Sequence, residues 1–447
     1  MPITDRHPEY DKHRDQYVRC RDVIDGSDAV KNKNEKYLPP LSGQSMDSYR
    51  RYKQRGLFFS VASRALSGLT GMASRRHPKL EYSEDMKYYF EDVANTGMSF
   101  NEVFLETLNE VMLMSKMFIM IDFPAKGGNP YLVTYKAEDV INWHIQDSVL
   151  QWVIIKQSTY VFDEKDPYKR IPKNLYTKLS IETGEYTVSV YDDKEKQYYR
   201  TVTPKVKNRS LTFIPGFFIT PNGINATTIK PAMLDIVDLN ITFYQLMTDY
   251  LNGLHLIAVP TPVFTGATES ETIKMGPESA IVMPEPTSKA FFLEFQGVGL
   301  GSVENALTML MSQMALFSSR LTSDTGKGSE SAVSVQLRYS SESATLSAVV
   351  NACQAALTQI YTWVAQFNGV ETPKIELHKQ FLNTKISAQE LAQYTNMYLN
   401  QTIDQETYYN ILYNGEVPVS AALKDGNGIV PKAPTVVTDP QPAPAVA

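Results

Sequence analysis

Gly326-Lys327 has the residue types of a phosphate-binding loop, in which glycine amides surround a phosphate and a lysine neutralises its charge. Such a loop also needs a serine or threonine after the lysine, an earlier glycine and a preceding strand. Here Gly328 follows Lys327, the earlier glycine is missing, and no strand pattern leads in. The run from Gly297 to Gly301 likewise lacks the third glycine of a dinucleotide-binding motif. We therefore interpret both segments as hinges.

Side chains that could bind a metal or act as nucleophiles are scattered. The histidines show no zinc-binding spacing; they are His7, His13, His77, His144, His255 and His378. Two cysteines, Cys20 and Cys353, are too few for a disulfide framework and favour a reducing compartment. A Ser/His/Asp triad needs no closeness in sequence and stays open, but no pattern supports one. We expect no catalytic site, no metal and no cofactor.

Composition bounds the protein class. The chain has 447 residues and a net charge of -6, which predicts two to four domains and argues against a basic DNA coat. It contains no uninterrupted apolar run of about 18 residues, the minimum for a membrane helix. Its first residues lack a signal-peptide core. We expect a soluble protein made in the cytosol, with no membrane partner.

The first half predicts helices followed by a mostly antiparallel sheet. Residues up to Gly43 are polar and resemble an arm lying on another surface. A helix over 47–67 carries basic residues that we interpret as a solvated face, with nucleic-acid contact the alternative. Thr183-Gly184 is a candidate hairpin turn. Helices are predicted over 84–95 and 99–115, and strands over 118–122, 131–135, 140–144, 150–160, 176–181, 186–191 and 198–202.

Residues 229–369 predict three long helices with two interruptions. The first helix opens at Pro231 and carries apolar residues at spacings of three and four. A small insert follows, with proline-rich edge strands over 258–264 and 279–283. The second helix has Ser302 as N-cap candidate and ends near Arg320.

A polar, glycine-rich loop from Thr322 to Ser331 follows and should be exposed. The third helix runs from Ser331 to Phe367 and stops at Asn368-Gly369. At ~1.5 Å per residue it would reach about 55 Å. Short helices over 387–399 and 404–412 come next, with Ser387 and Asp404 as N-caps, before a proline-rich tail over 430–447 that should be disordered.

This order of elements resembles the portal proteins of tailed bacteriophages, the head-to-tail connector family. Similar local segments include Leu234–Tyr244 leading into Val259–Val263, and the segments over 46–71, 139–143, 387–391 and 415–417. The resemblance covers residues 8–429 and depends on several segments in order. No catalytic signature contributes to it.

The resemblance implies an α+β portal fold with a wing, a two-helix stem, a small β-containing clip, a long tunnel helix and a short helical crown. Its parts would be an N-terminal arm and wing (1–228), a first stem helix (229–257), a clip (258–296), a second stem helix (297–321), a tunnel loop (322–331), a long wing or tunnel helix (332–369), a C-terminal wing and crown (370–429) and the tail (430–447).

The resemblance also implies partners and a location. About twelve copies would form a homo-oligomeric ring around a channel at one capsid vertex of the virion. Double-stranded DNA would pass through it non-specifically during packaging and ejection. Terminase, head-tail adaptor or tail proteins, and the major capsid and scaffold proteins would be the protein partners.

Two sets of residues follow as candidate sites. A conduit needs few strong phosphate contacts, because each added cation raises DNA affinity and slows sliding. The tunnel loop would meet DNA through Lys327, unless Lys327 only solubilises the loop; its residues are Asp324, Gly326, Lys327, Gly328 and Ser329. Apolar residues on more than one face of the stem helices predict burial by neighbouring copies; these are Ile236, Leu239, Phe243, Leu310, Met314 and Phe317.

Two other functions compete. A minor capsid or head-tail adaptor protein could also carry long helices, although it would leave the order of elements unexplained. A nucleic-acid enzyme, such as a nuclease or translocase, would need a carboxylate cluster or a true phosphate loop. We find neither pattern in the sequence, so the enzyme is the weaker alternative.

Overall fold

The computed structural model describes residues 2–124, 128–163, 166, 168–258, 261–265, 289–293, 297–319, 332–379, 381 and 388–414. The chain divides into two compact units, over 1–379 and 380–447. The described residues mix helices with antiparallel strands, so the predicted α+β class is confirmed. None of the helices in these ranges is both long and apolar enough to span a bilayer.

Six helices come first: α1 (Pro8–Asp25), α2 (Ser27–Asn32), α3 (Met46–Arg55), α4 (Val61–Ala73), α5 (Lys87–Glu91) and α6 (Phe100–Met114). The prediction of a surface arm before Gly43 was wrong, because α1 belongs to the core. Tyr17, Cys20 and Val23 are at most 1% exposed. These residues recur every third position, and the polar residues between them concealed the stripe.

Two further helix predictions need correction. The helix predicted over 47–67 is two helices, α3 and α4, separated at Gly56. A Cβ at Gly56 would lie 2.6 Å from Thr248 Oγ1, so the close approach of another helix requires glycine there. The segment over 84–95 forms only a 3-10 turn (Glu84–Met86) and α5. The helix over 99–115 is confirmed as α6, with a capping box between Ser99 and Glu102.

The strands of the first half are β1 (Lys79–Glu81), β2 (Met117–Asp122), β3 (Tyr131–Lys136), β4 (Val140–Gln146), β5 (Val149–Phe162), β6 (Arg170–Ser180), β7 (Thr187–Asp192), β8 (Gln197–Val202), β9 (Lys205–Val206), β10 (Arg209–Ser210), β11 (Gly216–Thr220) and β12 (Gly223–Ile224). The strand pairs among the described residues are antiparallel, so the mostly antiparallel sheet predicted for the first half is confirmed. One sheet has the order β12-β11-β2-β3 and another runs β4 to β8 in sequence. The prediction missed β11, the central strand beside β2, whose five residues are all buried.

The central stretch contains α7 (Leu234–Ala258), β13 (Thr261–Thr265), β14 (Lys289–Leu293), α8 (Leu300–Ser319) and α9 (Ala332–Asn368). The first predicted insert strand is confirmed as β13, which pairs with β14. The predicted strand over 279–283 lies outside the described residues. Ser302 is not an N-cap, because α8 already begins at Leu300.

α9 is one continuous helix of 37 residues, close to the predicted bounds. It ends where Gly369 takes a φ of +74° and donates its N–H to the Ala365 carbonyl at 2.8 Å, so the predicted stop is confirmed. Its second half packs on α5, on α6 and on the sheet that contains β11. Tyr361 stacks on Phe90 at 4.4 Å, and Trp363 lies 5.4 Å from Phe217. After α9, β15 (Lys374–Glu376) pairs with β1.

The second unit contains α10 (Ala388–Leu399) and α11 (Gln405–Asn414), close to the two predicted helices. Asp404 accepts a hydrogen bond from the Thr407 N–H at 3.3 Å, which confirms it as an N-cap. The rings of Tyr398 and Tyr408 stack at 4.6 Å and hold the two helices together. Ser387 and the tail over 430–447 lie outside the described residues.

Candidate functional site

α7 and α8 form an antiparallel helical hairpin, joined by the β13–β14 pair, and we define this hairpin as the candidate site. The C-terminal turns of α7 meet the N-terminal turn of α8. A Cβ at Gly253 would lie 2.6 Å from Leu300 Cδ2, so the Leu300 side chain packs directly on the α7 backbone at this glycine. Ile257 packs against Gly297 in the same way. The end of α7 and the start of α8, between which the insert lies in sequence, are therefore packed tightly together.

The inner face of the hairpin is an apolar cluster within a single chain. Phe243, Leu307, Leu310 and Met314 are each at most 7% exposed and pack together. Partly buried neighbours surround them: Val61, Leu239, Leu246, Met247, Tyr250 and Val303. Val61 belongs to α4, so the first unit's own helices cover this face.

This packing corrects the predicted oligomer contacts. Ile236, Phe243, Leu310 and Met314 have almost no surface left for a second copy, since each is at most 7% exposed. Their apolar character is explained by packing inside the chain. Leu239 is partly buried beside the same cluster, and the side chain of Phe317 lies outside the described residues.

Polar contacts fix the first half of α7 on the N-terminal helices. The Asn240 side chain is fully buried and caps α4: its Oδ1 accepts from the N–H groups of Val61 (3.0 Å) and Ala62 (3.1 Å). Its Nδ2 donates to the Phe59 carbonyl at 2.8 Å. Arg19 pairs with Asp238 at 2.9 Å. Sequence reasoning missed Asn240, because a cap supplied by a distant helix leaves no local signal.

A second set of polar contacts holds the middle of α7. Gln245 Nε2 donates to the Tyr37 carbonyl at 2.8 Å, and the Tyr52 hydroxyl donates to Asp249. Arg55 Nη1 donates to Asn252 Oδ1 at 3.2 Å. Bonds to α1, α3 and the α4 N-terminus therefore orient α7 over about half its length. The hairpin is therefore held on the N-terminal helices by contacts that run from Asp238 to Asn252 of α7.

The outer surface of α8 carries little charge and includes exposed apolar side chains among polar ones, such as Asn305, Thr308 and Ser312. In α8 the only charged residue is Glu304. Met309 and Met311 are 58% and 57% exposed, and Val298 just before α8 is 87% exposed. The last turn of α7 adds further exposed apolar side chains: Leu254, Leu256 and Ile257. Exposed apolar surface of this kind marks interaction sites, and methionine adapts readily to a partner surface.

The exposed methionines of α8 flank its buried stripe on both sides. Consecutive residues of an α-helix turn by about 100°, so Met309 and Met311 point about 160° apart around the axis. Leu310, between them, points into the chain's own cluster. One helix therefore exposes a methionine on each side of its buried stripe.

A buried cation lies where the segment before α7 crosses the first sheet. Lys116 is 3% exposed, and its Nζ lies 3.5 Å from the ring centroid of Trp143. It donates to the Ala226 carbonyl at 3.0 Å and to Thr228 Oγ1 at 2.8 Å. Burial lowers the pKa of Lys116 to about 7, although the ring face favours the charged form. Lys116 thus ties residues 226–228 to the sheet.

The described residues offer little reactive chemistry. Burial raises the pKa of both Cys20 and Cys353 to about 12, so these thiols stay protonated at neutral pH and are poor nucleophiles. Within the described ranges, His, Cys, Asp and Glu side chains form no group of three placed to share a metal ion. The tunnel-loop candidates Asp324, Gly326, Lys327, Gly328 and Ser329 lie outside the described residues.

Comparisons with known proteins give one family model over the helical stretch and solved structures that align with most of the chain. A family model described as a domain of unknown function, DUF4055, matches residues 232–368, from just before α7 to the end of α9 and less than half of the chain. No curated protein matches significantly. A solved structure of the virion of a native gene transfer agent particle aligns with 88% of this chain and 100% of its own, at 10% identity and a TM-score of 0.40. The neck of the native particle, computed with C12 symmetry, aligns with 86% of this chain and 99% of its own, at 10% identity and a TM-score of 0.38.

Proposed function

We propose that this chain is the portal protein of a tailed-phage-like particle, a ring that conducts DNA at one capsid vertex. The observation that carries the proposal is the α7–α8 hairpin, whose inner face is covered within one chain while α8 exposes one methionine on each side of that face. A subunit in a cyclic ring contacts one neighbour on each side through two different surfaces. Met309 and Met311, on opposite flanks of α8, supply such a pair of surfaces.

The order of elements supports the same proposal. A helix, a two-stranded insert, a second helix and a 37-residue helix follow one another, and this is the order on which the portal resemblance was based. In this proposal α7 and α8 form the stem, the β13–β14 pair belongs to the clip, and α9 runs from the tunnel loop into the wing. Double-stranded DNA, terminase, and adaptor or tail proteins are the proposed partners.

Ring formation is tested by substituting each flank separately. Met309→Glu and Met311→Glu each place a charge in every interface of a ring, so each variant should be monomeric at micromolar concentration when the wild type forms rings. Met46→Glu is the matched control, because Met46 is 68% exposed but lies on α3. Native mass spectrometry and negative-stain imaging measure the assemblies.

Mixing the two variants separates a ring from a symmetric dimer. In a ring, the intact flank of one variant can bind the intact flank of the other, and assembly then stops at a heterodimer. A two-fold dimer uses the same surface on both copies, so one of the variants would still dimerise alone. A wild-type chain that stays monomeric, or two variants that both form rings, would refute the proposed function.

A further inference from the structure

A recess of about 280 Å³ lies between the N-terminal segment, α1 and the five-stranded sheet. Three cationic side chains from three different elements line it: Arg6, Arg14 and Lys156. Two tyrosines, Tyr10 and Tyr176, also line the recess. We propose that this recess binds a phosphate group, as free phosphate or as part of a nucleotide or nucleic acid.

The chain segment that carries Arg6 is fixed by hydrogen bonds of the residues on either side of it, Asp5 and His7. Asn142 Nδ2 donates to the Asp5 carbonyl at 3.0 Å, and the His7 N–H donates to the Ile141 carbonyl at 2.9 Å. The His7 ring also stacks on Trp143 at 4.1 Å. The backbone before and after Arg6 is therefore fixed along β4, which limits where its guanidinium can go.

Regular structure positions the other lining residues. Tyr10 and Arg14 are four residues apart in α1 and share one face of the helix. Lys156 and Tyr176 are directly opposed in the β5–β6 pair, so their side chains project from the same face of the sheet. The helix face and the sheet face meet at the recess.

The cations of the recess are poorly compensated within the chain. No carboxylate is among its lining residues. Arg6 Nη1 lies 3.4 Å from Asp11 Oδ1, but this pair is exposed on both sides and is therefore weak. In the part of the chain that the structure describes, Arg14 and Lys156 form no ion pair.

The tyrosines provide one donor. The Tyr10 hydroxyl is already used, since it donates to the Glu138 carbonyl at 2.9 Å. The carboxylate of Glu138 is in turn bound by Arg21 at 2.7 Å and is not free to neutralise the recess. Tyr176 is 7% exposed, and its hydroxyl has no hydrogen-bond partner among the described residues. An anion in the recess would accept from this hydroxyl.

This set of donors matches a phosphate better than other small ligands. Guanidinium groups bind two oxygens of a phosphate at once, lysine adds a mobile point charge, and a phenol adds a neutral donor. A water occupies about 30 Å³ in the liquid, so the recess has room for a phosphate and part of the group attached to it. Charge-assisted contacts of this kind typically contribute about tenfold or more in affinity each.

Isothermal titration calorimetry of the full chain with pyrophosphate, in chloride buffer at pH 7, tests the proposal. We expect saturable binding with one site per chain, weakened about tenfold or more in Arg14→Gln and in Lys156→Gln. Lys12→Gln is the matched control, because Lys12 is an exposed cation of α1 that does not line the recess. Its affinity should equal that of the wild type.

Parallel titrations with inorganic phosphate, a nucleoside diphosphate and a short oligonucleotide identify the source of the phosphate. Tighter binding of one probe, lost in Arg14→Gln and Lys156→Gln, assigns that source. Binding that these two variants leave unchanged, or no saturable binding of any probe, overturns the proposal. The test is independent of ring formation, so the two proposals can fail separately.

Discussion

Asn240→Ala should release α7 from α4 without touching the apolar cluster of the hairpin. Asn240 is fully buried, and its side chain makes three hydrogen bonds at the start of α4, to Phe59, Val61 and Ala62. The Val61 N–H keeps a second acceptor, the Phe59 carbonyl at 2.9 Å. The Ala62 N–H has only Asn240 among the described residues, so it loses its partner.

The expected loss of stability can be worked from these bonds. A buried hydrogen bond contributes about 1 kcal/mol net, and three bonds therefore give about 3 kcal/mol. A water that enters the space left by the amide would restore part of this, which lowers the estimate to about 2 kcal/mol. Since each 1.4 kcal/mol is a factor of ten, local opening at the start of α4 should become about 30- to 150-fold more frequent.

Hydrogen exchange followed by mass spectrometry measures this opening on peptides that cover residues 57–66. A local readout is preferable to global unfolding, because oligomerisation would make overall stability depend on protein concentration. Thr242→Ala is the control: Thr242 is exposed on the same helix, and its hydroxyl donates only to the Asp238 carbonyl. If exchange over 57–66 is the same in Asn240→Ala and Thr242→Ala, the capping argument is refuted.

Two other substitutions test the conduit and the buried cation. Lys327→Ala should leave ring assembly intact but change genome packaging or DNA retention, measured by packaged DNA per particle; unchanged values would argue against DNA contact. For Lys116, folding lowers the pKa from 10.5 to about 7. Between pH 7 and pH 10.5 the unfolded chain therefore binds more protons than the folded chain. The free energy of unfolding then rises with pH, by up to about 1.4 kcal/mol per pH unit. Urea unfolding of Lys116→Met should lose this rise, whereas exposed Lys136→Met should keep it; equal pH dependence in both variants would contradict the assignment.

Local patterns predicted the elements whose partners lie nearby in sequence. The β4–β8 meander joins neighbouring strands, so alternation and turn residues were enough to place it. The long α9 helix and its stop at Gly369 were also predicted, because helical period and C-terminal glycine act within a few residues. α1 was missed as a core helix, and β11 was missed as the strand beside β2. Both depend on partners far along the chain.

The predicted oligomer contacts show the same limit of local sequence patterns. An apolar residue in a helix must be covered, but the sequence does not say whether its own chain or another copy covers it. Phe243 of α7 and Leu310 of α8 pack against each other and are also covered by α4. The contact between α4 and α7 joins distant parts of the sequence, since Val61 and Asn240 are 179 residues apart.

Leu310 and Met314, two of the predicted oligomer contacts on α8, are covered within the chain. The large apolar side chains exposed on the described part of α8 are instead Met309 and Met311, neither of which was predicted. A sequence signal for them did exist: α8 has one charged residue in 20, whereas a helix with a solvated outer face normally carries several. In the proposed ring, the missing charges correspond to a second surface that a neighbouring copy covers. A charge placed on either flank, with the other flank intact, therefore tests the ring more directly than any change in the hairpin's own core.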